Sequence, residues 1–245
     1  MKKTKCRVFA VANQKGGVSK TTTAINLGAA FKRAGKRVLL VDADPQHDLS
    51  RYCGAEEEEG KTLFSVVEGR AKLAELIQHT ETGLDVVPGS LDVMKLDKEK
   101  KANIDLSSVT GDYDFIIIDC SPYVNGATLA AMRAADGVIV TTTPDFGSAE
   151  NIEEISSSLE DVEKKIYGIV VTRYAARMIL NQSMLEKLEG LAARMGTRIF
   201  KTKIRESVAI RESQLMKQDI FTYSPRSGAA ADYKALASEI MKGVK

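Results

Sequence analysis

Short runs of apolar residues alternate along this chain with longer amphipathic stretches. The apolar runs are brief and rich in β-branched residues, which is typical of strands buried on both faces of a sheet. Each run is therefore predicted to be a strand. The predicted strands are Val8–Ala12, Val38–Val41, Leu84–Val87, Phe115–Ile118, Val138–Val140 and Ile169–Val171.

The stretches between these runs place apolar residues three or four positions apart, which is the spacing of one helix face. Thr21–Ala34 shows this pattern, and Gly35 supplies a natural stop. Asn151–Lys165 and Met184–Met195 repeat the spacing. Because strands and helices alternate over the whole chain, the predicted fold class is α/β, with a single open, mostly parallel twisted sheet flanked by helices on both faces.

Composition is ordinary for a soluble globular protein, with 44% hydrophobic and 28% charged residues among 245. No repeat or linker divides the chain, so residues 1–245 are expected to form a single domain. The net charge of +2 means that any contact with nucleic acid must come from a local basic patch. No apolar stretch approaches the roughly 18–20 residues of a membrane span, and the first residues lack a long hydrophobic signal region, so a cytoplasmic location is expected.

The cysteines exclude two further classes of protein. Cys6, Cys53 and Cys120 are unevenly spaced, so they form neither a disulfide framework nor a C-x-x-C metal or redox pair. Reduced, mostly buried thiols are therefore expected.

The stretch NQKGGVSKTTTAINLG (13–28) follows the first predicted strand and combines paired glycines with two lysines. Consecutive backbone N–H groups at a glycine-rich turn, followed by a helix N-terminus, form a cradle for anions. Lys20 would reach the β- and γ-phosphates of a nucleotide, and the Thr21 hydroxyl would bind Mg²⁺. The alternative is a glycine-rich turn with incidental lysines, and carboxylates elsewhere in the chain argue against it.

Three aspartates follow predicted strands. Asp42 and Asp44 end the strand in RVLLVDADPQ, two positions apart and so pointing to the same side, and Asp119 ends the strand in YDFIIIDC. Functional residues of a parallel sheet belong at the carboxyl ends of its strands, so these side chains are expected near the glycine-rich loop. Asp119 would hold Mg²⁺ through water. Aspartate pairs at strand ends are also common without a function.

Together these segments resemble the ParA/MinD group of P-loop ATPases, the deviant Walker A type. KGGVSKTTT is similar to the family loop K-G-G-x-G-K-[ST], VDADPQ to its first switch and YDFIIIDC to its Walker B strand. The resemblance implies ATP and Mg²⁺ as cofactors and slow, partner-stimulated ATP hydrolysis. It also implies that Lys15 is the signature lysine, which reaches across a face-to-face homodimer to the partner's phosphates.

The resemblance further assigns Asp44 to the attacking water and Asp42 to support of the Mg²⁺ shell, so the expected catalytic residues are Lys15, Lys20 and Asp44. Ser19 replaces a family glycine, and we expect it to serve as a helix N-cap without left-handed torsions. Thr172 and Ile204 are candidates for base contacts by position only. The expected nucleotide-binding residues are Lys15, Gly16, Gly17, Val18, Ser19, Lys20, Thr21, Thr22, Thr172 and Ile204, and the expected Mg²⁺ ligands are Thr21, Asp42 and Asp119.

The carboxyl-terminal half is also similar to the family and carries many cations. The resemblance implies that such residues form a DNA-binding surface across the dimer. Neutralisation of phosphates binds any duplex, and affinity then falls steeply with salt. A solvated basic face is the alternative. The expected DNA-binding residues are Arg194, Arg198, Lys201, Lys203 and Arg226, with Arg205 nearby.

The leading hypothesis is a ParA-type ATPase for partitioning a chromosome, plasmid or mobile element. Its ATP-bridged homodimer would bind double-stranded DNA non-specifically, associate with the nucleoid and be released when a ParB-like protein stimulates hydrolysis. Few residues precede the first predicted strand, so no N-terminal helix-turn-helix domain and no operator reading are expected.

Three alternatives belong to other classes. A MinD-like membrane ATPase needs a terminal amphipathic helix, but ADYKALASEIMKGVK lacks Trp and Phe, so a packed final helix and no membrane contact are expected. A redox ATPase resembling the nitrogenase iron protein needs cysteines that bridge an iron–sulfur cluster, and only Cys120 lies near the site. Bacterial tyrosine kinases of similar fold carry a terminal tyrosine cluster, which Tyr223 and Tyr233 do not form.

Overall fold

The computed structural model describes residues 5–96 and 102–244. Within these residues the strands form one seven-stranded sheet in the order β3-β4-β2-β5-β1-β6-β7, which is parallel except that β3 runs antiparallel to β4. The predicted α/β fold class is confirmed, and all six predicted strands are present. The strands are β1 (Arg7–Ala12), β2 (Val38–Ala43), β3 (Gln78–His79), β4 (Asp85–Val87), β5 (Phe115–Cys120), β6 (Gly137–Thr142) and β7 (Ile166–Val171).

The helices lie between these strands and after the last of them. Two short 3₁₀ turns, Leu73–Leu76 and Leu91–Lys95, add to the α-helices. The α-helices are α1 (Lys20–Arg33), α2 (Asp48–Cys53), α3 (Leu63–Val67), α4 (Gly126–Ala134), α5 (Ser148–Glu160), α6 (Ile179–Arg194), α7 (Val208–Leu215), α8 (Ile220–Tyr223) and α9 (Gly228–Gly243). The expectation of one domain over 1–245 includes residues 1–4, 97–101 and 245, which lie outside the described residues.

Two helix boundaries differ from those predicted by five residues each. Helix α5 ends at Glu160 rather than at residue 165, because the chain turns at Glu163, whose φ is 54°. Helix α6 begins at Ile179 rather than at residue 184, and its first residues are exposed apolar side chains, with Ile179 83% exposed. Since these residues do not face the core, they do not follow the periodicity from which the helix was predicted.

Each face of the sheet carries its own apolar core. On one face, α1 and α9 cover β1 and β5, where the rings of Phe31 and Phe115 stack with centroids 4.1 Å apart. On the other face, α4, α5 and α6 contribute side chains such as Ile152 and Leu188. The apolar residues of the final helix belong to the first core, since Tyr233 and Leu236 are fully buried. The predicted packed final helix is therefore confirmed.

The cysteines are free and buried in these cores, as predicted. Burial is the main reason that the pKa of Cys6 rises to about 11, and it raises the pKa of Cys53 and Cys120 further. Among the described residues, no helix is both long and apolar enough to cross a membrane.

Strand register brings the functional segments to one edge of the sheet. Strand β1 lies between β5 and β6, with Val11 opposite Asp119 and Ala12 opposite Val140. On the far side of β5, Asp42 of β2 is the register partner of Asp119. The carboxyl ends of four strands therefore surround the loop that follows β1.

Gly28 allows α1 to pack closely on the sheet. A Cβ atom on Gly28 would lie 2.8 Å from Cδ2 of Leu40, which is fully buried. We expect Gly28→Ala to lower the free energy of unfolding by about 1–3 kcal/mol through overpacking. Urea unfolding of the nucleotide-free protein measures this.

Gly190→Ala is the matched control, because Gly190 also lies within a helix but has only the end of the Arg194 side chain near its Cβ position, at 3.8 Å. This variant should gain about 0.5–1 kcal/mol from helix propensity. Equal effects of the two substitutions would contradict the packing argument.

Candidate nucleotide-binding site

Residues 13–19 link β1 to α1 and form an open loop. Gly17 has a φ of 76°, which an L side chain rarely adopts, and nothing lies within 4 Å of a Cβ placed on Gly16 or Gly17. The outer side of the backbone at Gly16 and Gly17 is open. A ligand can therefore approach the loop N–H groups closely, as anion binding at a helix N-terminus requires.

Ser19 does not behave as expected. Its φ and ψ are 63° and 34°, in the left-handed region, so the prediction that serine would avoid such torsions is wrong. Its side chain makes no capping hydrogen bond, although its carbonyl accepts from the Thr23 N–H at 2.9 Å. Because an L residue in this region costs roughly 1–2 kcal/mol, the loop conformation is set by its surroundings rather than by an N-cap.

Two buried polar side chains fix the loop to β6. The Asn13 amide donates to the Thr141 carbonyl at 2.7 Å and accepts the Lys15 N–H at 2.8 Å. The Thr172 hydroxyl lies 3.2 Å from the Val18 carbonyl of the loop and 3.1 Å from the Thr142 carbonyl of β6. Thr172 is fully buried against the loop backbone, so its position suits support of the loop rather than a base contact.

The two loop lysines lie in different surroundings. Lys20 is buried, and its Nζ donates to the Lys15 carbonyl at 3.0 Å. Burial lowers the pKa of Lys20, while Asp119 and Asp44 oppose the change. The Lys15 side chain is 34% exposed instead, and its Nζ lies 2.7 Å from Oδ1 of Asp145. Lys20 thus points into the loop and Lys15 away from it.

Asp42 and Asp119 lie side by side, and both are fully buried. Asp42 is well satisfied, because Oδ2 accepts the Ser50 N–H at 2.9 Å and the Ser50 hydroxyl at 2.6 Å, while Oδ1 accepts the Asp44 N–H at 3.2 Å. Burial nevertheless raises the pKa of Asp42 to about 6. Its hydrogen bonds tie the turn after β2 and the start of α2 to the end of β2.

Asp119 has no such partners. Among the described residues, neither carboxylate oxygen has a hydrogen-bond partner. Burial, and then the neighbouring Asp42, raise the pKa of Asp119 well above its usual range. The Thr21 hydroxyl opposes the rise without the geometry of a full hydrogen bond. A bound cation would stabilise a buried carboxylate that has no hydrogen-bond partner.

This donor set fits magnesium. Mg²⁺ keeps several water ligands and binds through one or two carboxylates together with substrate phosphates. Asp119 and Thr21 supply such a partial set at the loop, and within residues 5–96 and 102–244 no cluster of three acidic, histidine or cysteine side chains could form a complete cage. The site therefore fits a hydrated ion that is held jointly with phosphates.

Asp44 begins the turn after β2. Its Oδ1 accepts the Gln46 N–H at 3.0 Å, and its carbonyl accepts the His47 N–H at 2.9 Å. His47 lies beyond the turn, with Nε2 3.8 Å from a Glu57 carboxylate oxygen. Asp44, which contributes to the electrostatic environment of Lys20, is thus the acidic side chain of this turn that faces the loop.

A cavity of about 240 Å³ adjoins the loop. Gly17 and Thr22 line one side, and the segment 204–214 lines the other. Ile204, a candidate for base contact by position, is among the lining residues. Gln214 was not predicted, and its amide donates to the Thr22 hydroxyl at 2.8 Å. Arg173 also lines the cavity and pairs with Glu206 at 2.7 Å.

The predicted DNA-binding residues occupy three places. Arg194 ends α6, and Arg226 lies in the turn before α9. Arg198, Lys201 and Lys203 follow one another in a segment that runs beside β7.

Two cations of this region already have partners. The Arg198 guanidinium lies over the rings of Tyr167 and Phe200, at 4.9 and 5.1 Å from their centroids. Arg205 forms two hydrogen bonds with Asp232, at 2.7 and 2.8 Å. These two guanidinium groups are therefore less available to an external phosphate than exposed cations are.

A glycine-rich loop between a buried strand and a helix, with a strand-end carboxylate behind it, defines a P-loop nucleotide-binding protein. A family model described as an AAA domain matches residues 6–171. The chromosome-partitioning ATPase Soj of Thermus thermophilus is 34% identical over 254 residues, which cover 100% of this chain and 99% of Soj.

Two solved structures are similar over nearly their whole length. The septum site-determining protein MinD of Pyrococcus horikoshii, complexed with Mg-ADP, has a TM-score of 0.80 and 28% identity, and the match covers 97% of this chain and 96% of MinD. Cobyrinic acid a,c-diamide synthase of Mycobacterium smegmatis, with bound ADP and magnesium, has a TM-score of 0.81 and 27% identity, with 97% and 94% covered.

The chain belongs to the ParA/MinD group of P-loop ATPases. The predicted family, fold class and cofactors are thereby confirmed, since ADP and magnesium accompany both solved structures. Membership in an ATPase family supports nucleotide hydrolysis as the chemistry of the site. The roles of individual residues remain predictions.

The strained Ser19 leads to a test of the loop. Ser19→Gly should relieve about 1–2 kcal/mol of torsional strain and lose about 0.4–1 kcal/mol to chain entropy, for a net gain near 0.5–1 kcal/mol. Ser207→Gly is the control, because Ser207 has a φ of −151° and no strain to relieve. Urea unfolding without nucleotide should show opposite signs for the two variants, and a destabilised Ser19→Gly would contradict the argument.

Proposed function

We propose that this protein is a ParA-type ATPase for the partitioning of DNA. In this proposal an ATP-bridged dimer binds duplex DNA, and hydrolysis releases it. The observation that carries the proposal is the division between the two loop lysines. Lys20 is buried within the loop and would bind phosphates held by its own subunit, whereas the Lys15 ammonium lies outside the loop on a side chain that is 34% exposed. In a dimer, this ammonium could contact the phosphates bound by the second copy.

Exposed aromatic residues support a second copy at the same edge. Tyr123 and Phe146 are each 75% exposed, and they follow β5 and β6 at the sheet edge that carries the loop. Large aromatic side chains are enriched at the centres of protein interfaces. Phe146 is also next to Asp145, the present partner of Lys15. A dimer that covers this edge would bury both rings beside the nucleotide.

Each site residue has a distinct part in the proposed hydrolysis. Lys20 would exchange the Lys15 carbonyl for phosphate oxygens, which are charged and therefore stronger acceptors. Thr21 and Asp119 would hold magnesium, which neutralises charge on the β- and γ-phosphates when it is bound. Asp44 would orient the attacking water from the turn after β2. Lys15 of the partner subunit would stabilise the charge that develops on the transferred phosphoryl group.

DNA binding is proposed from the family and from the exposed cations. The net charge of +2 gives no strong overall field, so contacts must be local. Arg194, Lys201 and Arg226 are exposed and are the preferred phosphate contacts, with Lys203 less exposed and Arg198 stacked on aromatic rings. A dimer would double the number of these contacts. A ParB-like protein is the proposed stimulating partner, and nucleoid association would follow from DNA binding.

A MinD-like role at a membrane is the second candidate. The similarity to MinD favours it, but the apolar residues of α9 that such a role would need are packed in the core. Co-sedimentation with anionic liposomes in the presence of ATP separates the two functions. Recovery with liposomes but not with DNA would favour the membrane role.

The two lysines should have separable defects. Lys20→Ala should abolish binding of a fluorescent ATP analogue, because the charge inside the loop is lost. Lys15→Ala should bind the analogue normally and fail to dimerise, because its charge acts on the partner. Light scattering with magnesium and a non-hydrolysable analogue measures the dimer. A Lys15→Ala protein that dimerises like wild type would refute the proposed function.

Asp44→Ala should hydrolyse ATP slowly enough to accumulate a DNA-bound dimer. Electrophoretic shift of arbitrary duplex DNA should persist with ATP in this variant, whereas the wild-type shift should decay as ATP is consumed. For both proteins, log affinity should fall linearly with log salt. Loss of DNA binding in Asp44→Ala, with nucleotide binding intact, would contradict the assigned role.

A further inference from the structure

The carboxylate that pairs with Lys15 is held firmly in place. The Ser148 hydroxyl lies 2.7 Å from Oδ1 of Asp145, and the Thr143 hydroxyl donates to Oδ2 at 2.7 Å. Partial burial alone would raise the pKa of Asp145, but hydrogen bonds from Lys15, Ser148 and Thr143 outweigh it and hold the pKa below its usual range. Asp145 is therefore oriented by the residue that follows β6 and by the first residue of α5 before Lys15 contributes.

The sheet brings the two partners together. Strands β1 and β6 are neighbours, with Ala12 opposite Val140, so the segments that follow them leave the sheet side by side. Asn13 strengthens this arrangement, because its side chain joins the Lys15 N–H to the Thr141 carbonyl. The contact between Lys15 and Asp145 thus spans 130 positions of sequence and is built into the topology.

The phosphate loop is coupled to the same contact. Lys20 Nζ donates to the backbone carbonyl of Lys15. The lysine that would bind phosphate therefore also holds Lys15, whose side chain would leave Asp145 to reach the partner subunit. A phosphate oxygen is a stronger acceptor than a carbonyl, because it is charged. Nucleotide binding would therefore draw Lys20 away and free the backbone of Lys15.

We infer that Asp145 is a positioning residue, which retains Lys15 within its own subunit until a partner's triphosphate replaces the carboxylate. This inference rests on the proposed function, in which Lys15 acts across the dimer. A triphosphate carries more negative charge than one carboxylate, so the exchange favours the dimer only when nucleotide is bound. The stronger the ion pair between Lys15 and Asp145, the higher is the concentration of nucleotide-bound protein that dimerisation requires.

Asp145→Asn removes the charge and keeps the size of the side chain. Exposed ion pairs shift equilibria by roughly 1.4- to 5-fold, and each dimer releases two of them, so the dimer dissociation constant should fall roughly 2- to 30-fold. Sedimentation velocity over a range of protein concentrations, with magnesium and a non-hydrolysable ATP analogue, measures this constant. Thr143→Val, which removes one hydrogen bond to Asp145, should act in the same direction to a smaller extent.

Three further variants test the assignment. Glu153→Gln removes an exposed acid from α5, the helix that follows Asp145, and should leave the constant unchanged, whereas Asp145→Glu should restore the wild-type value. Lys15→Ala/Asp145→Asn should behave as Lys15→Ala does, because the pair is already lost. If Asp145→Asn and Thr143→Val, both folded by circular dichroism, dimerise no better than wild type while Lys15→Ala remains monomeric, this inference fails alone. If Lys15→Ala dimerises normally, the proposed function fails.

Discussion

Two carboxylates placed side by side in the buried interior constrain the whole site. Asp42 and Asp119 are register partners on β2 and β5, and burial raises the pKa of both. Strand pairing prevents them from separating. Ser50 stabilises Asp42 by hydrogen bonding. Asp119 has no such partner among the described residues, so it is the carboxylate that requires a nearby positive charge. The charge of the buried Lys20 opposes the rise in the pKa of Asp119 and so meets part of this need, and magnesium would meet the rest.

This arrangement explains why nucleotide and metal belong together here. A phosphate alone would add negative charge to an acidic site, and a metal alone would find only a partial set of ligands. Bound together they would satisfy the loop N–H groups, Lys20 and Asp119 at once. Hydrogen bonds connect the site to neighbouring segments, since Ser50 of α2 donates to Asp42 and Lys20 donates to the backbone carbonyl of Lys15.

Local sequence patterns predicted the features that depend on a single segment. Buried strands appear as apolar runs, and the loop and its strand-end aspartates are local motifs, so they were found. Strand β3 was missed because Gln78–His79 has two residues and no apolar run. The start of α6 was missed because Ile179 and its neighbours face solvent. The torsions of Ser19 were predicted wrongly because its surroundings outweigh its cap preference.

Features that depend on distant segments could not be predicted in this way. Asp145 lies far from Lys15 in sequence, and only the adjacency of β1 and β6 joins them. Gln214 likewise reaches Thr22 because α7 returns to the loop after the last strand. Neither residue was assigned a role from the sequence. Their contacts follow from the order of strands and helices, which a single sequence shows only in outline.

The buried cysteines also make the molecule convenient for spectroscopy. Thiolates react with maleimides, and the interior holds Cys6, Cys53 and Cys120 in the protonated form at neutral pH. A cysteine engineered onto the surface would therefore be labelled in preference to the native ones. Fluorophores for distance measurements can thus be attached to the natural chain without first removing its own sulfur atoms.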